Sequence, residues 1–135
     1  MGTFKRFEDI QVWQKAREGT RSVYLMSNQG DFARDFSLRD QMKRASVSIM
    51  ANIAEGHGRR TSIEFANFLN IARGSAIELQ SHLYVARDLS YISDDQFRNT
   101  YETLDEISRM TIALAQYLRN RNSKNSVNSV DSPNS

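Results

Sequence analysis

The chain of 135 residues lacks cysteine altogether and has two histidines and one proline. Without cysteine there is no disulfide, no thiolate zinc site and no thiol nucleophile. The proline is Pro133, so no proline interrupts a helix in the body of the chain. No apolar run approaches the roughly 20 residues that span a bilayer, and the first residues lack the apolar core of a secretory signal. We therefore expect a cytoplasmic protein without a membrane partner.

The charge of the chain is close to balanced, with 18 basic and 16 acidic side chains and a formal net charge of +2. Hydrophobic residues make up 39% and charged residues 25%, as in an ordinary globular domain. All basic residues except Lys5, Lys15, Lys43 and Lys124 are arginine, which pairs equally well with carboxylates and phosphates. A net charge this small does not by itself indicate nucleic-acid binding. Evidence for such binding must come from basic residues that cluster locally.

Apolar residues at helical spacing predict four amphipathic helices. The first runs from an N-cap at Asp9 to about residue 28, and the second from about residue 35 or 37 to 55. Gly56 stands where a helix-ending glycine belongs. The third begins at a capping box, Thr61-Ser62-Ile63-Glu64, and the fourth at a second box, Ser93-Asp94-Asp95-Gln96, and continues to about residue 121.

Short connections between long helices favour antiparallel neighbours, so the sequence predicts an all-α, antiparallel up-down-up-down four-helix bundle over residues 1–121. Residues 122–135 are a polar segment rich in serine and asparagine. Such a segment cannot bury enough apolar surface to offset its ordering entropy, and we predict a disordered C-terminal tail.

Side chains able to support catalysis are few. His57 and His82 are the only histidines. Glu78 and His82 are four residues apart, whereas di-iron bundles use Glu-x-x-His with three, and there is no second pair. The motif of the HEPN ribonucleases, helical proteins in which four to six residues separate an Arg from the following His, is also absent. We predict a protein that is not an enzyme and has no cofactor and no metal site.

A basic cluster around the second and third helices is the better candidate for function. The candidate nucleic-acid-binding residues are Arg39, Lys43, Arg44, Arg59 and Arg60. The last two directly precede the third helix, whose free N-terminal amides also favour anions. Two alternatives stay open: Arg39 or Arg44 pairs with Glu78 across the helical hairpin, and Arg59 and Arg60 are simply solvated.

Polar residues near the apolar stripes form a second candidate set. Buried polar groups must be hydrogen-bonded, and such networks fix the register between helices. We predict a structural polar network inside the bundle made of Asn52, Glu55, Arg73, Ser75 and Glu78.

The third helix also has a second apolar row, roughly 120° from its core stripe at about 100° per residue. Its members are Ile63, Ile77, Tyr84 and Tyr91. Because a bundle helix needs one apolar face, the row predicts an oligomer interface; the alternative is a broad core face.

Three motifs carry a resemblance to a known family: Phe7-Glu8-Asp9-Ile10-Gln11-Val12-Trp13, Ala51-Asn52-Ile53-Ala54-Glu55-Gly56 and Ile71-Ala72-Arg73-Gly74-Ser75. Over about residues 4–119 the chain resembles the small bacterial proteins encoded within intervening sequences of 23S ribosomal RNA genes. The same superfamily includes Avd, the accessory variability determinant of diversity-generating retroelements. Relatives usually carry a proline before the second helix. Here Asp31-Phe32-Ala33-Arg34 takes its place, and we expect a looser turn.

The resemblance implies a homopentameric barrel of bundles with a basic surface. For the Avd branch it implies binding to a reverse transcriptase and to nucleic acid, while the intervening-sequence branch has no clear biochemical role. We expect a non-catalytic oligomeric accessory protein that binds RNA or DNA. The alternative is a protein-interaction scaffold that binds no nucleic acid.

Overall fold

The structure, a computed structural model, describes residues 4–131, with side chains described as far as residue 121. Four helices follow one another: α1 (Gln11–Ser27), α2 (Phe36–His57), α3 (Ser62–Asp88) and α4 (Asp94–Asp131). Short 3-10 turns precede α1 (Phe7–Asp9) and α2 (Gly30–Arg34), and the described residues contain no strand. Each helix packs on its neighbour in sequence, and α4 also packs on α1. The predicted all-α four-helix bundle is confirmed.

The predicted apolar stripes form the core. Leu38, Met42, Ala45, Ile49 and Ile53 of α2 are all buried. On α3 the buried positions recur every three or four residues over the whole helix, as expected for a helix with one face against the core. The buried members of that stripe are Phe65, Leu69, Ala72, Ala76, Leu79, Leu83 and Ala86.

The predicted capping box at Ser93 forms in full, whereas at Thr61 the hydroxyl caps α3 and donates to the Glu64 carboxylate at 3.2 Å. The Thr61 hydroxyl accepts a hydrogen bond from the amide of Glu64 at 3.1 Å. At the start of α4, the Ser93 hydroxyl accepts from the amide of Gln96 at 3.1 Å, and the Gln96 side chain accepts from the amide of Ser93 at 2.9 Å. These bonds satisfy amides that have no partner within the helix.

Two predicted helix ends were wrong. Asp9 ends a 3-10 turn, and Ile10 stands at the N-cap of α1 without a side-chain cap. Gly56 does not end α2, since the helix continues to His57 and the C-cap is Gly58. Gly56 is buried because α3 crosses there: a Cβ added to it would lie 2.7 Å from the Cβ of Phe68.

The turn before α2 is anchored, contrary to the looser turn expected without a proline. Phe32 is fully buried in it. Its ring stacks on Tyr91 at a centroid distance of 5.3 Å, and Asp35 caps α2 by accepting from the amide of Leu38 at 3.1 Å. A buried aromatic ring therefore fixes this segment in place of the proline that the family resemblance led us to expect.

The fourth helix runs past its predicted end near Arg121 to Asp131. Nothing in residues 122–131 stops a helix, since Pro133 is the first proline of the chain. Side chains from residue 122 onward and all of residues 132–135 lie outside the described part, so the predicted disorder of the tail stays a prediction.

Candidate nucleic-acid interface

The predicted basic cluster is not a single site. Arg39 lies near the start of α2, whereas Arg59 and Arg60 follow its end at His57. At 1.5 Å per residue, roughly 27 Å of helix separates Arg39 from that end. The five basic residues therefore lie at both ends and in the middle of the bundle.

Arg39 is held by its own chain. Its guanidinium donates to the carbonyl of Ala33 at 2.9 Å and to the carboxylate of Asp40 at 3.3 Å. It also lies over the ring of Phe36, 4.7 Å from the centroid, and its side chain is 25% exposed. The alternative pairing with Glu78 does not form, because these partners lie at the start of α2 itself. Arg39 stabilises the junction between the 3-10 turn and α2 and offers little to a phosphate.

Arg59 is engaged in a similar way at the other end of α2. Its guanidinium lies 2.9 Å from the carboxylate of Glu55, one turn earlier, and 4.8 Å from the ring centroid of Phe68. Arg60, the next residue, is exposed and has no hydrogen bond, ion pair or ring contact with another described residue. The two neighbours thus differ: one is tied to the fold and one is solvated.

Arg44, on the outer surface of α2, has no partner among the described residues either. The alternative Arg44–Glu78 ion pair does not form. Three further exposed arginines, none of them predicted as a phosphate ligand, are likewise unpaired within the described chain: Arg21, Arg73 and Arg109.

Arg21 on α1 and Arg44 on α2 lie on the outer surface of these two neighbouring helices, called the α1–α2 face below, although Arg21 lines a separate groove with Arg17 and Glu18. The Thr20 hydroxyl donates to the carbonyl of Ser46 at 3.1 Å, which places Arg21 level with the middle of α2. Lys43 extends its ammonium group over the ring of Tyr24, 4.8 Å from the centroid, and donates to the Asn28 side chain at 3.1 Å. The α1–α2 face therefore carries three cations at one level.

A groove of about 450 Å³ follows this face. Its lining residues are Tyr24, Asp40, Lys43, Arg44 and Val47. Tyr24 is 39% exposed, so an aromatic surface lies among the cations, as in sites for single-stranded nucleic acids. In the sequence, this face could have been predicted from Arg17 and Arg21, two arginines one turn apart on the polar side of α1.

The opposite sign of charge collects where α3 ends and α4 begins. Asp88, Asp94, Asp95 and Glu102 lie there. The arginines of this region are already paired: Arg87 lies 3.3 Å from the carboxylate of Asp94, and Arg98 pairs with Asp95. A polyanion is therefore disfavoured at this end and favoured on the α1–α2 face.

Part of the predicted polar network connects α2 and α3. The hydroxyls of Ser48 and Ser75 lie 3.0 Å apart, and the Asn52 amide donates to the carbonyl and hydroxyl of Ser48 at 2.8 and 3.0 Å. Ser48, which joins the other two, was missing from the predicted set.

The other three members of that set lie outside the network. Glu55 pairs with Arg59, and Arg73 is exposed and unpaired among the described residues. Glu78 is 59% exposed, with a carboxylate oxygen 3.9 Å from His82. Their positions on the helices point these three side chains toward solvent. The prediction placed them inside because they are close to apolar residues in the sequence, and closeness in sequence does not show which way a side chain points.

The predicted apolar row of α3 is exposed at three of its four positions. Ile63, Ile77 and Tyr84 are 43%, 49% and 46% exposed. Tyr91 does not belong to the row: it is half-buried, and its hydroxyl donates to Asp35 at 3.0 Å. The reason is that α3 ends at Asp88, and the chain then turns, so the heptad spacing no longer applies.

Ile71, 52% exposed, was not predicted, and at about 100° per residue it lies roughly 120° around α3 from Ile77, so it is not part of the row. The three exposed members of the row are called the α3 apolar face below. Gly74 lies between them, and a Cβ there would meet nothing within 4 Å, so this stretch of the helix is open to solvent.

Within the described residues no group of three or more acidic or histidine side chains could hold a metal ion, and none of the described helices is long and apolar enough to cross a membrane. The two histidines have structural contacts. His57 lies 3.0 Å from the carbonyl of Phe4 through Nε2 and packs edge-on against Phe65. His82 has its contact with Glu78.

Comparison with known proteins identifies the family. Residues 8–113 match the family described as 23S rRNA-intervening sequence protein. The chain belongs to this family. A crystal structure of a protein of unknown function from the S23 ribosomal protein family of Bacteroides thetaiotaomicron has a similar fold, with a TM-score of 0.71 and 28% sequence identity. The match covers 78% of this chain and 95% of that one. No curated protein shows significant similarity.

Proposed function

We propose that this member of the 23S rRNA-intervening sequence protein family is a non-catalytic, oligomeric accessory protein of the cytoplasm that binds RNA or DNA. The observation that carries the proposal is the α1–α2 face, where Arg21 and Arg44 have no partner among the described residues and Lys43 lies beside them. Arginine that is not held by a carboxylate is free to bind a phosphate bidentately.

The phosphate contacts are expected to position the nucleic acid, not to read its sequence. Tyr24 adds an exposed ring on which an unpaired base can stack. Asp40, which also lines the groove, is paired with Arg39 at 3.3 Å, so its charge is partly compensated. Arg39 and Arg59, both engaged in the fold, are left out of the proposed interface.

The experiment is a fluorescence-anisotropy titration of a labelled RNA hairpin and a matched DNA duplex at low and at physiological salt. Binding that weakens steeply with salt supports the proposal. Arg21→Ala and Arg44→Ala should each weaken binding, whereas Arg60→Ala removes an equally free arginine outside the face and should change affinity least. Absence of binding at low salt contradicts the proposal.

Self-association through the α3 apolar face is the second part of the proposal. A face with several exposed large apolar side chains at helical spacing is typical of an interface. The family resemblance adds the expectation of a homopentamer. Light scattering coupled to gel filtration tests this: Ile77→Arg should lower the molar mass, and Leu25→Arg, which changes an exposed leucine of α1, should not.

The alternative function, a protein scaffold without nucleic-acid binding, is favoured by that same α3 apolar face. It predicts an oligomer whose affinity for RNA and DNA is negligible at low salt. A reverse transcriptase is the protein partner implied by the resemblance to Avd. A reverse-transcriptase gene and a template repeat beside the gene for this chain would support that partner, and their absence would favour another.

A further inference from the structure

A second groove lies on the other side of Arg44, between α2 and α3, with a volume of about 370 Å³. Its lining residues are Gln41, Arg44, Ala45, Ser48, Ser75 and Glu78. The Ser48–Ser75 hydrogen bond joins its two walls at 3.0 Å. Its carboxylate, Glu78, has no arginine or lysine partner among the described residues, whereas Asp40 in the groove of the α1–α2 face is paired with Arg39.

These opposite charges line one groove without meeting. Arg44 precedes Ser48 by four residues and Glu78 follows Ser75 by three, so in an antiparallel helix pair the two charges lie at one level. Helix axes in contact are about 8–10 Å apart. Arg44 is unpaired among the described residues and Glu78 has only the 3.9 Å contact with His82, so both groups retain hydrogen-bonding capacity for a ligand in the groove.

The ligand of such a groove must offer acceptors to the guanidinium and donors to the carboxylate. A phosphate fails this requirement because Glu78 repels it. Guanine meets it: O6 and N7 are acceptors that arginine binds bidentately, and the adjoining N1–H and N2–H groups are donors for a carboxylate. Adenine places an amino donor where guanine has O6 and an acceptor at N1, so the carboxylate contact and one of the two arginine hydrogen bonds are lost, and only N7 remains as an acceptor.

We propose that the α2–α3 groove binds an unpaired guanine base, with Arg44 on O6 and N7 and Glu78 on N1–H and N2–H. The inference rests on the proposed function and deepens it by naming the base that the bound nucleic acid presents. When a guanine occupies this groove, Arg44 binds the base and the phosphate contacts of the α1–α2 face are left to Arg21 and Lys43. The base has to be unpaired, because the edge that Glu78 contacts is the Watson–Crick edge. Single-stranded loops present bases in this way.

The test compares four labelled RNA hairpins that differ at one loop position, carrying guanine, inosine, 7-deazaguanine or adenine. Inosine lacks the N2 amino group and 7-deazaguanine lacks N7. We expect guanine to bind tightest, adenine about tenfold or more weakly, and the two analogues in between, since one good bidentate contact discriminates at least to this degree.

Variants assign each contact to its side chain. Glu78→Ala, which removes both acceptor oxygens, should abolish the difference between guanine and inosine, and Arg44→Ala should abolish the difference between guanine and 7-deazaguanine. Arg60→Ala, the matched control with a free arginine outside the groove, should keep both differences. Circular dichroism melting of each variant verifies that it is folded.

The failure of the inference and the failure of the proposed function give different results. If the wild-type protein binds all four hairpins equally and with steep salt dependence, the guanine site is wrong and phosphate binding stands. The guanine site is also wrong if Glu78→Ala leaves the guanine–inosine difference intact. If no hairpin binds at low salt, both are wrong.

Discussion

Gly56 of α2 and Phe68 of α3 meet so closely that a Cβ on the glycine would lie 2.7 Å from the Cβ of the phenylalanine. Phe65 closes the same position from the side, with a ring carbon 3.0 Å from the added atom. Real Cβ atoms do not approach one another this closely, so only glycine allows the two helices to cross here. The α2–α3 hairpin, which carries the candidate guanine groove and one wall of the α1–α2 face, depends on this contact.

Gly56→Ala is therefore expected to destabilise the protein. Forcing one methyl group into a well-packed contact costs about 1–3 kcal/mol, which urea denaturation followed by circular dichroism measures. Gly58→Ala is the matched control, since its added Cβ would lie 3.4 Å from the nearest atom, the carbonyl of Glu55, in ordinary contact. An equal effect of both substitutions would contradict the assigned role of Gly56.

The hydrogen bond between Ser48 and Ser75 should contribute to stability. Ser75→Ala is expected to cost about 0.5–1.5 kcal/mol, and Ser48→Ala more, because the Asn52 amide also donates to the Ser48 hydroxyl. A double-mutant cycle should show coupling between the two sites. Ser81→Ala, an exposed serine of α3, is the control. Additive effects at Ser48 and Ser75 would mean that the cross-helix bond contributes nothing.

Tyr91 should make stability depend on alkaline pH. Its hydrogen bond to Asp35 is the largest cause that raises the pKa of Tyr91 above the ordinary value of 10.0. Below pH 10.0 the phenol is neutral in both the folded and the unfolded protein, and its hydrogen bond to Asp35 stabilises the fold fully. Above it the unfolded tyrosine ionises first, so stability falls as the pH rises toward the folded pKa.

Tyr91→Phe removes this ionisation and should show a smaller loss of stability between pH 7 and the alkaline range than the wild-type protein. Urea midpoints at the two pH values measure the difference. Lysine ionisation is common to both proteins and cancels in the comparison. Identical alkaline losses in the two proteins would show that the Asp35 contact does not hold the phenol neutral.

The fold could be predicted to a large extent because its signals are local. The N-caps at Thr61 and Ser93 and the buried stripe of α2 depend on residues close together in the sequence, and all three are confirmed. Gly56 was misassigned for the opposite reason: its role is set by Phe68 on another helix, and a glycine near a helix end otherwise indicates a cap.

The candidate site was less predictable because the sequence does not show which charges are already paired. Arg39 and Arg44 look alike on α2, yet the Ala33 carbonyl and Asp40 hold the first, and the second has no partner in the described chain. Arg21 joins Arg44 only through the register that the Thr20–Ser46 hydrogen bond sets between α1 and α2. Tertiary register of this kind has no local signal.

The salt dependence of nucleic-acid binding tests the central claim most directly. The logarithm of the binding constant for a DNA duplex should fall linearly with the logarithm of the salt concentration, with a slope of about −0.9 per phosphate neutralised. We predict that Arg21→Ala and Arg44→Ala each reduce the steepness by about one, while Arg60→Ala leaves it unchanged. A slope near zero for the wild-type protein, or equal reductions for all three variants, would contradict a phosphate-binding α1–α2 face.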